Sequence, residues 1–221
     1  MLISCRSLAE YRAMFGLTAA DLRARILDCP GGAASFTAEI VAAGGDATAC
    51  DPIYATATPD ELARLALAEM DRGDSYVQAH PGGFVWTFFA DRDAYRSTRR
   101  AAARKFATHL AADGDHYAAA ALPALPFDDR AFDLVLSSHL LFSYADRLDL
   151  DFHHRAIAEL VRVARREVRL YPLVPVGADA THPRLDELLQ LLDRDGIRAH
   201  TTEVSYRFQR GAQHMLVCAR R

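Results

Sequence analysis

The residues best suited to do chemistry are two acids at strand tips and a glycine turn between them. Ile26-Leu27-Asp28-Cys29-Pro30-Gly31-Gly32-Ala33-Ala34-Ser35 reads as a strand ending on an acid, a tight turn, and a helix opening at about Ala33. Ala47-Thr48-Ala49-Cys50-Asp51 reads as a second strand with an acid at its end, followed by Pro52. So small a turn lets backbone N–H groups approach a ligand, and a helix opening there would aim its positive end at the same place. Asp51, about 20 residues beyond the turn, stands where a carboxylate accepts both hydroxyls of a ribose. The outline is a site for a nucleoside-bearing ligand. A pyrophosphate is disfavoured, because the G-x-G-x-x-G spacing is absent and Asp28 would repel it, whereas Asp28 suits a cationic amino-acid group.

A second constellation lies further along, at Ser137, Ser138, His139 and Tyr144. These residues follow a buried strand, where open α/β sheets place their sites, and an imidazole there has the right unperturbed pKa to accept a proton. His139 and Tyr144 are the expected catalytic pair. The competing reading of His139 is a strand-end histidine bonded to a loop carbonyl. Leu148-Asp149-Leu150-Asp151-Phe152-His153-His154 carries two acids and two histidines before a helix, with Asp151 expected as its N-cap. Without a third spaced ligand no metal is expected. Cys5, Cys29, Cys50 and Cys218 lack metal spacing and read as small core residues, with a reactive thiol conceivable at Cys29 or Cys50.

The glycine turn resembles motif I of the class I S-adenosylmethionine-dependent methyltransferases, an acid followed by alternating glycines. Gly32 falls on the family's middle glycine, while Pro30 and Ala34 replace the outer two. Leu122-Pro123-Ala124-Leu125-Pro126-Phe127-Asp128-Asp129-Arg130-Ala131-Phe132-Asp133, leading into Leu134-Val135-Leu136, is similar to the family's L-P-F loop and the strand after it. Ala121 stands where the family usually carries an acid for the adenine amino group, so adenine recognition is expected from backbone around Leu122 and from apolar packing. The resemblance implies S-adenosyl-L-methionine as cofactor, held by Asp28, Cys29, Pro30, Gly31, Gly32, Asp51, Pro52, Ala121, Leu122, Ser137 and Ser138.

The elements that must position these groups alternate between strand and helix. Residues 6–24 read as two short helices, with Thr18 capping the second. Strands are expected at about 25–29, 46–51, 116–122, 133–139 and 167–173. Ala156, Leu160, Val161 and Val163 mark the inner side of a helix before the fifth strand, and Leu185, Leu188, Leu189, Leu191 and Leu192 mark another, closed by Gly196. Segments 197–206 and 213–219 flank Gly211 and read as an antiparallel hairpin. The expected fold is α/β, a doubly wound seven-stranded sheet. The resemblance supplies its order, 3-2-1-4-5-7-6, with the last strand antiparallel.

More than 60 residues separate Asp51 from His116, far beyond an ordinary crossover. The chain therefore reads as a single domain, 1–221, carrying a mostly helical insertion at about 52–115. The insertion opens at Thr58-Pro59-Asp60-Glu61 with a helix start. It continues through His80-Pro81-Gly82-Gly83-Phe84-Val85-Trp86-Thr87-Phe88-Phe89 and closes on a helix at about 93–112. That last helix turns Tyr95, Ala103, Phe106 and Leu110 inward and Arg96, Arg100 and Arg104 outward. As a lid, its aromatics Trp86 and Phe89 would join His139 and Tyr144 in binding the methyl acceptor. As plain structure, they would seal the insertion onto the sheet.

Hydrophobic residues make up 51% and charged residues 25% of the 221, a globular balance, and a net charge of -3 gives bulk electrostatics no reason to favour a polyanion. Of 26 basic residues only Lys105 is lysine, a composition habit rather than a phosphate signal. With no signal pattern and no apolar run of spanning length, a cytoplasmic enzyme is expected. The function expected is methyl transfer to oxygen or nitrogen of a small molecule, with no nucleic-acid or membrane partner. The alternatives are a cofactor-binding module without turnover, given Pro30, Ala34 and Ala121, and an RNA methyltransferase using the insertion's basic helix.

Overall fold

The computed structural model describes residues 3–221. Seven strands form one sheet in the order β3-β2-β1-β4-β5-β7-β6. They are β1 (Arg25–Asp28), β2 (Asp46–Cys50), β3 (Tyr117–Ala118), β4 (Phe132–Ser138), β5 (Ala164–Tyr171), β6 (Ile197–Glu203) and β7 (His214–Arg220). β7 runs antiparallel to both β5 and β6. The other pairings are parallel. Both faces of the central strands are buried, as a parallel sheet requires. Along β1 and β4, Leu27 and Val135 point to one core while Ile26, Leu134 and Leu136 point to the other.

The first core is covered by α5 (Leu150–Val163) and α6 (Leu185–Arg194), whose Ile157, Leu160, Leu188 and Leu192 are fully buried. The cap of α5 is Asp149, which accepts from Phe152 N–H at 2.8 Å; Asp151 lies in the first turn and pairs with Arg155. The second core is covered by α1 (Leu8–Phe15) and α2 (Phe36–Ala42). α1 begins on a Ser7–Glu10 capping box, and Thr18 and Asp21 exchange reciprocal bonds at the short 3-10 turn that follows.

The α2 helix starts at Phe36, three residues later than expected at Ala33, and spans 7 residues. The reason is visible in the backbone. Ala33 N–H donates to Ser4 O at 3.1 Å and Ser35 N–H to Arg6 O at 2.9 Å, so groups expected to face a ligand are spent on an extended strap, residues 3–6. β3 is also shorter than the 116–122 expected, and residues 120–122 leave the sheet as a loop.

The insertion folds as two 21-residue helices, α3 (Pro59–Ala79) and α4 (Arg92–Ala112). Thr58 and Glu61 form the reciprocal cap of α3. Tyr95, Ala103 and Phe106 are buried, as the spacing predicts, and so is Arg99. Arg92 and Arg96 pair with Asp74, and Arg100 reaches Asp71 at 3.8 Å, so Arg96 and Arg100 of the outward stripe meet acids of α3 while Arg104 stays exposed. The aromatic connection is stitched to the residues between β6 and β7: Val85 N–H donates to Phe208 O at 2.7 Å, and Phe84 bridges Gln209. Among the described residues no helix is long and apolar enough to cross a membrane.

Candidate active site

Two cavities open beyond the C-terminal ends of β1, β2 and β4. The smaller, about 360 Å³, is lined by Cys29, Pro30 and Gly32 from the turn, Cys50 to Ile53 from the end of β2, Ala120 to Leu122, and Ser138 to Leu140. Tyr144, Leu148 and Phe152 complete its far side. The sequence thus brings Cys29, Pro30, Gly32, Asp51, Pro52, Ala121, Leu122 and Ser138 to one hollow. Asp28, Gly31 and Ser137 are adjacent but do not line it.

Each of those three is held by a different force. Both Asp28 oxygens accept from the Tyr11 hydroxyl, at 3.0 and 2.9 Å. Burial pushes the Asp28 carboxyl well above its ordinary range; the Tyr11 bond opposes this and the Asp51 charge adds to it. Gly31 faces β2, where an added Cβ would lie 2.8 Å from the Ala49 Cβ and 2.6 Å from the Tyr54 hydroxyl. Ser137 is a buried strand residue.

Asp51 is 8% exposed. Its Oδ2 accepts from Gly32 N–H and its Oδ1 from Ile53 N–H, each at 3.0 Å. Burial raises its pKa, and the two N–H bonds work in the opposite direction. Each carboxylate oxygen keeps a second lone pair, so a pair of hydroxyls in the cavity can still be accepted. Gly32 sits at φ +52, the left-handed region that favours glycine, and Tyr54 donates to its carbonyl at 2.8 Å. The Cys29 thiol is pushed well above its ordinary value, first by its bond to Cys50 and then by burial, which leaves it protonated rather than reactive.

The larger cavity, about 450 Å³, lies between the sheet and the insertion. Met70, Tyr76 and Val77 of α3, Tyr95 and Arg99 of α4, Phe84, and Tyr206 and Phe208 wall it. Trp86 and Phe89, expected to bind the acceptor, line neither cavity. Phe89 is buried, whereas Trp86 is 37% exposed and packs edge-on behind Tyr95 and Phe208.

Ile3, Ser4, His139 and Tyr144 line both cavities. His139 has φ +53, a conformation uncommon for a side chain larger than glycine's and one that gathers at functional sites. Its N–H is fixed by Tyr171 O at 2.7 Å, and its Nδ1 lies 3.1 Å from Ser138 Oγ. Burial pulls the imidazole well below its ordinary pKa, and the charges of Arg6 and Arg99 add to the effect. The ring is therefore neutral near pH 7. Among the described residues no group of three or more His, Cys, Asp or Glu is placed to hold a metal ion.

Arg6 and Arg99 are among the site residues that sequence reasoning missed. For Arg99 a signal existed: it falls on the inward stripe of α4 between Tyr95 and Phe106. Arg6 had none, because its place depends on the strap crossing the glycine turn.

Residues 90–171 match a family model described as a methyltransferase domain, a span running from α4 to the end of β5. The chain is 27% identical over 216 residues, 97% of its length and 94% of the relative's, to the uncharacterized protein MJ0045 of Methanocaldococcus jannaschii. Among solved structures, the Synechocystis PCC 6803 magnesium protoporphyrin IX methyltransferase with bound SAM aligns with a TM-score of 0.47 and 14% identity, over 91% of this chain and 73% of that one. Burkholderia thailandensis 1,6-didemethyltoxoflavin-N1-methyltransferase aligns with a TM-score of 0.45 and 18% identity, over 95% and 74%. The strand order is the one the sequence resemblance implies, and the family match places a methyltransferase domain over the stretch that carries β3, β4 and β5. S-adenosylmethionine is the cofactor that this resemblance implies. The smaller cavity fits that group, because Asp51 retains acceptor capacity beside an apolar hollow.

Proposed function

We propose that the protein transfers a methyl group from S-adenosylmethionine to an oxygen or nitrogen atom of a small molecule seated in the larger cavity. The observation that carries this reading is the junction at His139 and Tyr144, where a cavity suited to a nucleoside meets one suited to an acceptor. When bound, the cofactor supplies an electrophilic methyl on a sulfonium. Asp51 holds the ribose diol; Pro30 and Gly32 bound the turn; Pro52, Ala121 and Leu122 flank the adenine. Ser138 orients the His139 ring. In the tautomer whose Nδ1–H donates to Ser138 Oγ, His139 Nε2 carries the lone pair that accepts an acceptor proton. Tyr144 helps position the acceptor, and the aromatic wall excludes water. The insertion at 52–115 belongs to the same unit, since α3 and α4 form one side of the acceptor cavity.

The ion pairs between α4 and α3 support a small acceptor over RNA, because Asp71 and Asp74 match Arg92, Arg96 and Arg100 and leave Arg104 as the unmatched arginine of the outward stripe among the described residues. The test is titration with S-adenosylhomocysteine, followed by methyl transfer from labelled S-adenosylmethionine to a panel of small hydroxy and amino compounds. Binding with turnover on at least one compound is expected. Absent cofactor binding overturns the reading, and binding without any turnover favours a cofactor module.

A further inference from the structure

The floor of the larger cavity carries more positive charge than the fold uses. Arg6 and Arg99 both line it, and they come from the strap and from α4. Arg99, 5% exposed, is tied to Glu10 at 2.8 Å and to Cys5 O at 2.9 Å. Glu10 is fully engaged: its Oε1 also accepts from the Tyr206 hydroxyl at 3.0 Å, and its Oε2 from the Ser7 N–H at 3.0 Å. That leaves Arg6 with no carboxylate of its own. Its Nε and Nη1, together with Arg99 Nε, are buried without a hydrogen-bond partner among the described residues. Asp28, across from Arg6, is already bound by Tyr11, and Glu69 at the cavity wall is paired with Arg72. A buried guanidinium with unsatisfied N–H groups is expensive, and a native fold keeps one where something else completes it.

Around these groups the cavity is aromatic, with Tyr76, Phe84, Tyr95, Tyr206 and Phe208 in its wall. We propose that the acceptor is a small organic acid, an aromatic or similarly apolar body whose carboxylate pairs with Arg6 while Arg99 reinforces the positive field. Guanidinium N–H groups recognise carboxylates through charge-assisted hydrogen bonds, and the aromatic wall beside them makes that pairing selective for the anion over its neutral isostere. The word acceptor rests on the methyl-transfer reading; the anion seat does not.

The test binds benzoate, 4-hydroxybenzoate and phenylacetate, each against its amide, to the full chain by calorimetry with and without S-adenosylhomocysteine. At least one acid should bind tenfold or more tightly than its amide, and Arg6→Gln should erase that preference while S-adenosylhomocysteine affinity stays within a few-fold. The acid–amide comparison on the unmodified protein stands even if Arg6→Gln fails to fold. Acids and amides bound equally, or not at all, overturn the proposal. A tenfold loss of S-adenosylhomocysteine affinity in Arg6→Gln without an acid preference also overturns it, by giving the guanidinium to the cofactor's own carboxylate. If the unmodified protein binds acids but not S-adenosylhomocysteine, the anion seat survives and methyl transfer falls.

Discussion

The Gly32 N–H donates to Asp51 Oδ2 at 3.0 Å, so one carboxylate both fastens the glycine turn and faces the smaller cavity. Asp51→Asn keeps an acceptor oxygen but loses the charge, and Asp51→Ala loses both. Cofactor affinity should fall by about 1–3 kcal/mol for Asp51→Ala, the scale of a lost charged hydrogen bond, with Asp51→Asn between it and the unmodified protein. Calorimetric titration with S-adenosylhomocysteine reads this directly, and unchanged affinity in both variants rejects Asp51 as the ribose acceptor.

The two glycines of the turn should respond differently. An alanine at Gly31 forces its methyl onto Ala49 and Tyr54, an overpacking that should cost about 1–3 kcal/mol of stability. At Gly32 an added Cβ would meet Ser4 O at 3.3 Å rather than open ligand space, and φ +52 strains any replacement. Gly32→Val should therefore disturb the strap, lowering the melting temperature together with cofactor binding. A fully stable Gly32→Val variant that simply fails to bind would instead put the side chain in the ligand's space.

Trp86 lies outside the larger cavity and is 37% exposed, so Trp86→Ala should cost about 1–2 kcal/mol, less than truncating a fully buried aromatic. Phe208, which stacks on Tyr95 with ring centroids 5.0 Å apart, lines the cavity itself. Phe208→Leu should impair turnover more than Trp86→Ala does, with cofactor affinity held within a few-fold in both. The reverse ranking would place the tryptophan against the acceptor.

His139→Asn tests the proton acceptor with the backbone preserved, since asparagine tolerates the left-handed conformation. If the acceptor must lose a proton, turnover should drop by about 10²–10⁴-fold and the rising limb of its pH profile should flatten. The same substitution has a stability signature. The folded-state pKa lies well below the ordinary value of 6.5, so between those two values the unfolded chain binds the extra proton and stability falls as pH falls. His139→Asn should make the acid-side decline in melting temperature shallower. An unaltered pH profile for both rate and stability would leave His139 with a positioning role alone.

The strands were legible because the acid-tipped segments, the L-P-F loop and the buried runs each carry a local pattern, whereas their order came from the family resemblance. The length of the insertion announced two helices, and the cap at Thr58 and the inward face of α4 followed from spacing. What escaped depends on contacts between distant segments. Ala33 and Ser35 give their N–H groups to residues 4 and 6, which delays α2, and no local rule weighs that competition. Trp86 looked like a pocket residue because aromatics cluster there, yet the stitching of Val85 to Phe208 sets that stretch behind the wall. Asp149 rather than Asp151 caps α5 because two acids two residues apart read alike until one N–H chooses.

Ile3, Ser4, His139 and Tyr144 form a common wall between the two cavities. Ligands resting on opposite sides of one thin partition do not bind as strangers. Any change that filling one side makes in the strap, the ring orientation or the local field reaches the other, and thermodynamic reciprocity requires the effect to be mutual. Whatever factor S-adenosylhomocysteine imposes on the affinity of a compound in the larger cavity, that compound must return to S-adenosylhomocysteine. On the methyl-transfer reading, the partition would make cofactor and acceptor each an effector of the other, without any further site.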